Sequence, residues 1–116
     1  MNENNITSAL AYYKAFEEKN IGAIARHLHP DVQFAAPMGE SKGRDAVVEA
    51  AKRLVPFVKS INVRAKFASG DQVVLVYDLH LTAPVDVCPT AVLMTFKDGL
   101  IVRTELYYDA RPFGNF

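Results

Sequence analysis

Residues 61–82 decide the fold of this chain, and they read INVRAKFASGDQVVLVYDLHLT. β-Branched and aromatic residues recur with a period of about two over Ile61–Ala68 and again over Val73–Thr82, a pattern that is typical of strands. Between the two runs, Ser69-Gly70-Asp71 is a compact turn signal. The stretch therefore predicts a β-hairpin with a long second strand.

The pattern on either side of this hairpin predicts the rest of the fold. Thr90–Phe96 and Leu100–Tyr108 flank an Asp98-Gly99 dipeptide, which favours a tight turn between antiparallel strands. Before the hairpin, apolar residues recur at helical spacing. The predicted elements there are helices over Ile6–Lys19, Asn20–His29 and Arg44–Val55, a strand over Val32–Ala36 and a turn-rich connection over residues 38–43. This order predicts an α+β chain with helices on one face of a curved antiparallel sheet.

Length and charge exclude several classes of function. The chain has 116 residues, the size of one domain, and its 13 basic residues balance 13 acidic ones. A net charge of zero argues against a duplex-DNA or anionic-membrane partner, because both bind through a basic face. With Cys88 as its one cysteine, we expect no disulfide, no thiolate metal cluster and a cytoplasmic location. We find no signal-peptide pattern and no apolar run of about 18 residues.

A family resemblance covers nearly the whole chain. The segments that carry it are YYKAFEEKNIGAIARHLHPDVQFAAP (12–37), GRDAVVEAAKRLV (43–55), the long hairpins and FKDGLIVRTELYYD (96–109). In this order they resemble the nuclear transport factor 2-like superfamily, in its SnoaL-like and ketosteroid-isomerase-like branch. The resemblance implies one domain over residues 1–116 with a cone-shaped α+β fold. In that fold three N-terminal helices pack on a curved, mainly antiparallel sheet and enclose an apolar pocket, and homodimers are common.

The resemblance also assigns the catalytic positions of ketosteroid isomerases to this chain. Tyr12 matches the tyrosine that donates a hydrogen bond to the developing enolate oxygen. Ala36 stands where those isomerases have the aspartate that acts as general base. Val92 stands where they have an aspartic acid as second oxyanion donor. Because both acidic groups are replaced, we do not expect steroid isomerisation by that mechanism.

The strand Val73–Thr82 offers a second pair of candidate catalytic residues. Alternation divides this strand into two faces, and the isomerase pattern implies that Val76, Asp78 and His80 point into the pocket. There Asp78 and His80 would lie about 7 Å apart and act as general acid and base near neutral pH. The alternative places both residues on the outer face, at solvent or at a dimer seam, since a slip of one residue exchanges the faces.

Further residues are candidates for lining or covering the pocket. Tyr12 is predicted to donate a hydrogen bond to the ligand, and its alternative is a core tyrosine whose hydroxyl reaches Asp78 or a water. The tail aromatics Phe113 and Phe116 are candidates for covering the pocket mouth. The ligand-binding candidates on the strands are Phe34, Val76, Val92, Met94, Thr104, Leu106 and Tyr108.

The sequence leaves three functions open. The first is a cofactor-independent isomerase, cyclase or hydrolase of the SnoaL-like type, which transfers protons on a small apolar substrate. The second is a module that binds a hydrophobic ligand without converting it. The third is an association domain that forms a homodimer through the outer sheet face, where Arg103 and Glu105 are predicted to point. We expect no metal site, because His27 and His29 do not share a helix face and metal-binding motifs are missing from the sequence.

Overall fold

The computed structural model describes residues 2–113, with side chains from residue 4 onward. This part of the chain contains three α-helices and six strands. Phe116, a candidate for covering the pocket, lies outside the described residues. The elements are α1 (Asn2–Glu17), α2 (Ile21–Arg26), β1 (Leu28–Ala36), β2 (Gly39–Lys42), α3 (Arg44–Leu54), β3 (Val58–Ser69), β4 (Gln72–Leu81), β5 (Val87–Lys97) and β6 (Leu100–Tyr108). Short 3-10 turns lie at Val55–Phe57 and Arg111–Phe113. No helix within residues 2–113 is long and apolar enough to cross a bilayer.

Two local signals in the sequence form the structures that they favour. The side-chain oxygen of Asn20 accepts a hydrogen bond from the Ala23 backbone N–H at 3.1 Å, and this bond caps the start of α2. Asp98 and Gly99 both have positive φ, 54° and 79°. A two-residue turn whose twist matches the flanking strands requires this backbone, so β5 and β6 form a tight hairpin.

The strands form one six-stranded sheet in the order β2-β1-β6-β5-β4-β3. β1 and β6 run parallel, and every other neighbouring pair is antiparallel, so the sheet is mixed. The register shifts between Val63 and Ala65 in β3 and between Thr95 and Phe96 in β5. Such irregularities increase the bend and twist of a strand, and they contribute to the curvature of the sheet.

The strand β2 corrects one expectation from the sequence. Residues 38–43 were expected to be a turn-rich connection, but Gly39–Lys42 pairs antiparallel with the end of β1. This strand has no apolar alternation because its side chains are largely exposed, so periodicity gives no signal for it. β1 and β3 also begin four and three residues before the predicted strands, whereas β6 has the predicted bounds.

The buried face of β4 corrects a second expectation. The three helices pack on one face of the sheet, which we call the inner face, and the opposite face is the outer face. Leu75 and Tyr77 lie on the inner face and are 0% and 3% exposed. Val76, Asp78 and His80 alternate with them and lie on the outer face, contrary to the prediction. The inner set is apolar throughout, so this register buries more apolar surface than the reverse one, which would bury a carboxylate and an imidazole.

A polar clasp joins the end of α1 to the start of β3. The Lys19 ammonium donates hydrogen bonds to the carbonyl oxygens of Val55 and Val58, both at 2.8 Å. Glu17 Oε2 accepts a hydrogen bond from the Ile61 backbone N–H at 2.7 Å. These bonds fix the C-terminal end of α1 against the sheet and so hold its aromatic side chains over the inner face.

Candidate functional site

A cavity of about 270 Å³ lies between α1, α3 and the inner face of the sheet. The side chains that line it are Tyr12, Tyr13 and Phe16 of α1; Phe34 and Met38 in and after β1; Val47, Ala50, Ala51 and Leu54 of α3; Ile61 of β3; Tyr77 and Leu79 of β4; Cys88 and Thr90 of β5; Thr104, Leu106 and Tyr108 of β6; and Phe113 of the tail. This lining is mostly apolar, and its polar groups are hydroxyls and one thiol.

Three tyrosines form a packed aromatic group at the wall of the cavity. The ring centroids of Tyr12 and Tyr13 are 5.2 Å apart, and those of Tyr13 and Tyr77 are 4.8 Å apart. Phe16 extends the group, with its ring 5.1 Å from that of Tyr12. Burial raises the pKa of all three phenols well above the ordinary tyrosine value of 10.0, and the neighbouring phenols raise the pKa of Tyr12 and Tyr13 further. The three hydroxyls therefore stay protonated at physiological pH.

A second polar group lies where β5 begins and β6 ends. Burial raises the pKa of the Cys88 thiol and of the Tyr108 hydroxyl. The Thr90 hydroxyl donates a hydrogen bond to the Cys88 carbonyl oxygen at 3.1 Å. The ring of Phe113 packs edge-on against Tyr108 with centroids 5.7 Å apart, and both rings line the cavity. The Cys88 thiol and the Tyr108 hydroxyl can donate hydrogen bonds to a ligand, whereas the Thr90 hydroxyl already donates its proton to Cys88; none of the three is poised to take up a proton.

The lining contains no carboxylate, imidazole, ammonium or guanidinium group among the described residues. Asp78 is instead paired with Arg64, with 3.5 Å between Oδ1 and Nε, on the outer face. Asp109 binds Arg111 in the exposed tail, and this pairing lowers the pKa of the Asp109 carboxyl to about 2. The described part of the chain also holds no group of three or more His, Cys, Asp or Glu side chains that is placed to bind a metal ion.

The structure brings some of the predicted site residues together and separates others. Tyr12, Phe34, Thr104, Leu106 and Tyr108 all line the cavity, and their role in ligand binding stays a prediction. Val92 and Met94 face the same side, but they are 0% exposed in the core where helices and sheet close together, beyond the end of the cavity. Val76, Asp78 and His80 lie on the opposite face of the sheet.

Sequence reasoning missed several lining residues that carry hydrogen-bonding groups. Tyr77 was missed because the prediction turned the opposite face of β4 towards the pocket. Cys88 and Thr90 precede Val92 at a spacing of two on β5, so they share its face. Val92 was assigned to the site by the isomerase resemblance, and strand alternation from Val92 would have indicated both Thr90 and Cys88.

Comparison with known proteins places this architecture in a class. A crystal structure of an NTF2-like (nuclear transport factor 2-like) protein of unknown function from Cytophaga hutchinsonii has a TM-score of 0.82 and 24% identity, over 91% of this chain and 90% of that one. The α+β fold with a curved, mixed six-stranded sheet is thus the NTF2-like fold. A model of the SnoaL-like domain family matches residues 9–104, and the chain belongs to this family.

Two other solved structures are also similar. A protein from Kribbella flavida shares 27% identity with a TM-score of 0.87, over 93% of this chain and 88% of that one. TerC, crystallised with polyporic acid, shares 24% identity with a TM-score of 0.80, over 95% of each chain. No curated protein sequence matches the chain significantly.

Proposed function

We infer that the chain binds a small, uncharged and mostly apolar molecule that carries an oxygen atom able to accept a hydrogen bond. The observation that carries this proposal is the composition of the cavity wall. Aromatic and aliphatic side chains dominate it, and its polar groups are neutral hydroxyls and a neutral thiol. A charged ligand would lose its hydration in this wall without gaining a countercharge, which is costly.

The volume of the cavity and the aromatic rings in its wall restrict the class of ligand that it can hold. A cavity of about 270 Å³ is close to the lower end of the range found for small-molecule sites. The aromatic side chains of Tyr12, Tyr13 and Tyr77 all line the cavity. A planar ring system with one or two oxygen substituents can therefore pack on the rings and accept a hydrogen bond. The fold that the chain shares with TerC, a protein crystallised with polyporic acid, is in line with a small organic ligand.

Binding is better supported than proton-transfer catalysis. General acid–base chemistry needs a group that takes up a proton within hydrogen-bond reach of the substrate. Asp78 and His80 were the candidates for that role, and both lie on the outer face. The protonated phenols that line the cavity are able to stabilise negative charge on a ligand oxygen, but their raised pKa values make them poor partners for removing a proton at neutral pH.

A set of three matched probes tests this proposal. Titration calorimetry at about pH 7 compares 2-naphthol, naphthalene and 2-naphthoate, which differ in one substituent. We expect 2-naphthol to bind best, naphthalene to lose the hydrogen bond, and the anionic 2-naphthoate to bind at least about tenfold more weakly than 2-naphthol. The proposal is wrong if 2-naphthoate binds as well as 2-naphthol, or if none of the probes is bound.

Variants identify which hydroxyls take part. Tyr12→Phe and Tyr77→Phe each keep the ring and remove one hydroxyl donor. If the removed hydroxyl is the one that hydrogen-bonds to the ligand, the variant should bind 2-naphthol about five- to tenfold more weakly. Its affinity for naphthalene should be unchanged. Tyr107→Phe is the matched control, because Tyr107 lies on the outer face and does not line the cavity. Equal losses for both probes would mean that the substitution changed the shape of the cavity rather than a hydrogen bond.

A further inference from the structure

A thiol lies in the wall of the cavity beside a row of hydroxyl groups. Cys88, the one cysteine in the sequence, is 5% exposed and lines the cavity. Two residues further along β5, on the same face, the strand register places Thr90 between Tyr77 of β4 and Tyr108 of β6. A nucleophilic sulfur and several hydroxyl groups are thus combined in a wall that is mostly apolar.

A second observation at the same cavity points to a ligand with an oxygen atom. Tyr12 is 4% exposed and lines the cavity, and its hydroxyl has no hydrogen-bond partner among the described residues. No buried side-chain oxygen or nitrogen atom of those residues is sealed off without a partner. The Tyr12 hydroxyl is therefore not enclosed by protein. It opens into the cavity, where an oxygen atom of a ligand can accept its hydrogen bond.

The thiol and the hydroxyls are close enough to contact one small molecule. Cys88 and Tyr12 both raise the pKa of the Tyr77 hydroxyl, an electrostatic effect that decreases with distance and so places both side chains near Tyr77. Cys88 also raises the pKa of the Tyr108 hydroxyl. A molecule that fills a cavity of about 270 Å³ therefore meets the thiol at one point and a hydroxyl at another.

We propose that the cavity binds a neutral α,β-unsaturated ketone and that the sulfur atom of Cys88 adds to the β-carbon of this ketone. The addition rests on the proposed function, since such a ketone is an uncharged, mostly apolar molecule with one oxygen acceptor. A bond forms between sulfur and the β-carbon, the carbon–carbon double bond becomes a single bond, and its electron pair moves through the α-carbon to the carbonyl oxygen. A hydroxyl of the wall donates a hydrogen bond to this oxygen and stabilises the charge that it gains. The resulting enolate takes up a proton at the α-carbon, which balances the proton lost by the thiol, so no oxidant, reductant or leaving group is needed.

Burial makes this thiol selective for a bound electrophile. It raises the pKa of the Cys88 thiol, and the Thr90 hydroxyl, 3.7 Å from Sγ, partly offsets this effect. The protonated thiol therefore dominates at neutral pH, and an electrophile in solution reacts with it slowly. A ketone held in the cavity reacts faster, because binding raises its effective concentration beside Sγ. Charged electrophiles are disfavoured, because the described wall offers them no countercharge.

Mass spectrometry of the intact protein with benzylideneacetone, an apolar α,β-unsaturated ketone, tests the proposal. Borohydride reduces the carbonyl group of the adduct, so that the addition does not reverse before the measurement. We expect a single adduct per chain, located on Cys88 by peptide mapping. The rate of its formation should saturate with the ketone concentration, and a saturating concentration of 2-naphthol should slow it at least about fivefold. Benzylacetone, which lacks the double bond, should bind without forming an adduct.

Thiol variants are the controls. Cys88→Ser and Cys88→Ala should form no adduct, and circular dichroism shows that they are folded. Ser69→Cys in the Cys88→Ser background moves the thiol to an exposed position at the end of β3. There the rate should rise in proportion to the ketone concentration, and 2-naphthol should not slow it.

The outcomes distinguish this proposal from the proposed function. If benzylacetone and 2-naphthol bind to the wild type but Cys88 forms no adduct, while the thiol of the Ser69→Cys variant does, the cavity still binds its ligand and the role of Cys88 is wrong. An adduct on Cys88 that forms without saturation, or that 2-naphthol does not slow, also overturns the proposal, because the ketone then reacts from solution. If neither benzylacetone nor 2-naphthol binds, the proposed function fails as well.

Discussion

On β4, Leu75 and Tyr77 point towards the helices and are almost completely buried, whereas their neighbours Val74 and Val76 point the other way and remain partly exposed. All four side chains are large and apolar or aromatic, so residue type does not separate the two faces. The two faces differ in burial because the helices cover only one of them. The inner face therefore contributes most to folding stability and shapes the cavity, whereas the outer face stays partly open to solvent.

The largest expected difference between the faces concerns stability. Leu75→Ala should lower the free energy of unfolding by about 3–4 kcal/mol, because Leu75 is 0% exposed and its loss leaves a cavity. Leu93→Ala on the outer face should cost about 1 kcal/mol or less. Urea unfolding at one protein concentration measures both free energies. Equal losses would mean that the two faces are buried alike.

Alkaline pH tests the inner face through its phenols. Because burial raises the pKa of Tyr12 and Tyr77 in the folded chain, the folded chain keeps protons that the unfolded chain loses above pH 10. The free energy of unfolding is thus unaffected by these groups below pH 10. Above that pH it falls by up to about 1.4 kcal/mol per pH unit for each phenol.

Tyr12→Phe should remove one phenol's share of this alkaline slope, measured by urea unfolding at a series of pH values. Phe16→Leu alters the same aromatic group without removing a phenol, so it should lower stability and keep the slope. A slope that Tyr12→Phe leaves unchanged would show that the hydroxyl of Tyr12 ionises freely in the folded chain.

Filling the cavity separates the faces by ligand binding. Leu106→Trp adds bulk to the cavity wall and should weaken binding of 2-naphthol more than about tenfold, measured by titration calorimetry. Leu93→Trp makes the same change on the outer face and should leave the affinity within about twofold. Strong loss of binding in Leu93→Trp would place the probe outside the cavity.

The smallest expected effect belongs to the outer polar residues of β4. Asp78→Asn and His80→Ala should leave 2-naphthol affinity within about twofold of the wild type, because neither side chain lines the cavity. The measurement is the same calorimetric titration. Loss of binding in both variants, with an intact fold, would return these residues to the cavity wall and overturn the assignment of the two faces.

The sequence predicted the α+β class and most of the elements, but it predicted only part of the cavity lining. The α+β class and the bounds of β6 are confirmed, since strand periodicity and an Asp-Gly turn are local signals that the tertiary structure does not reverse. The face of β4 was wrong, because both faces of this strand contain apolar residues and one residue of slip exchanges them. Counting apolar residues on each face would have favoured the register that the structure has. β2 could not have been found by periodicity, because its side chains are largely exposed and show no apolar alternation.

The parallel pairing of β1 with β6 makes the last strand the link between two parts of the sheet. A hydrogen bond of 2.8 Å from Arg103 to Gln33 crosses this pair and joins residues 70 positions apart. In the sheet, β6 is the only strand between the β2–β1 pair and the meander of β3, β4 and β5 within the described residues. Removing β6 from this strand order would leave two incomplete sheets with open edges, and open edges favour aggregation. The strand that joins the two parts also contributes Thr104, Leu106 and Tyr108 to the cavity wall, so the integrity of the sheet and of the cavity depends on the same nine residues.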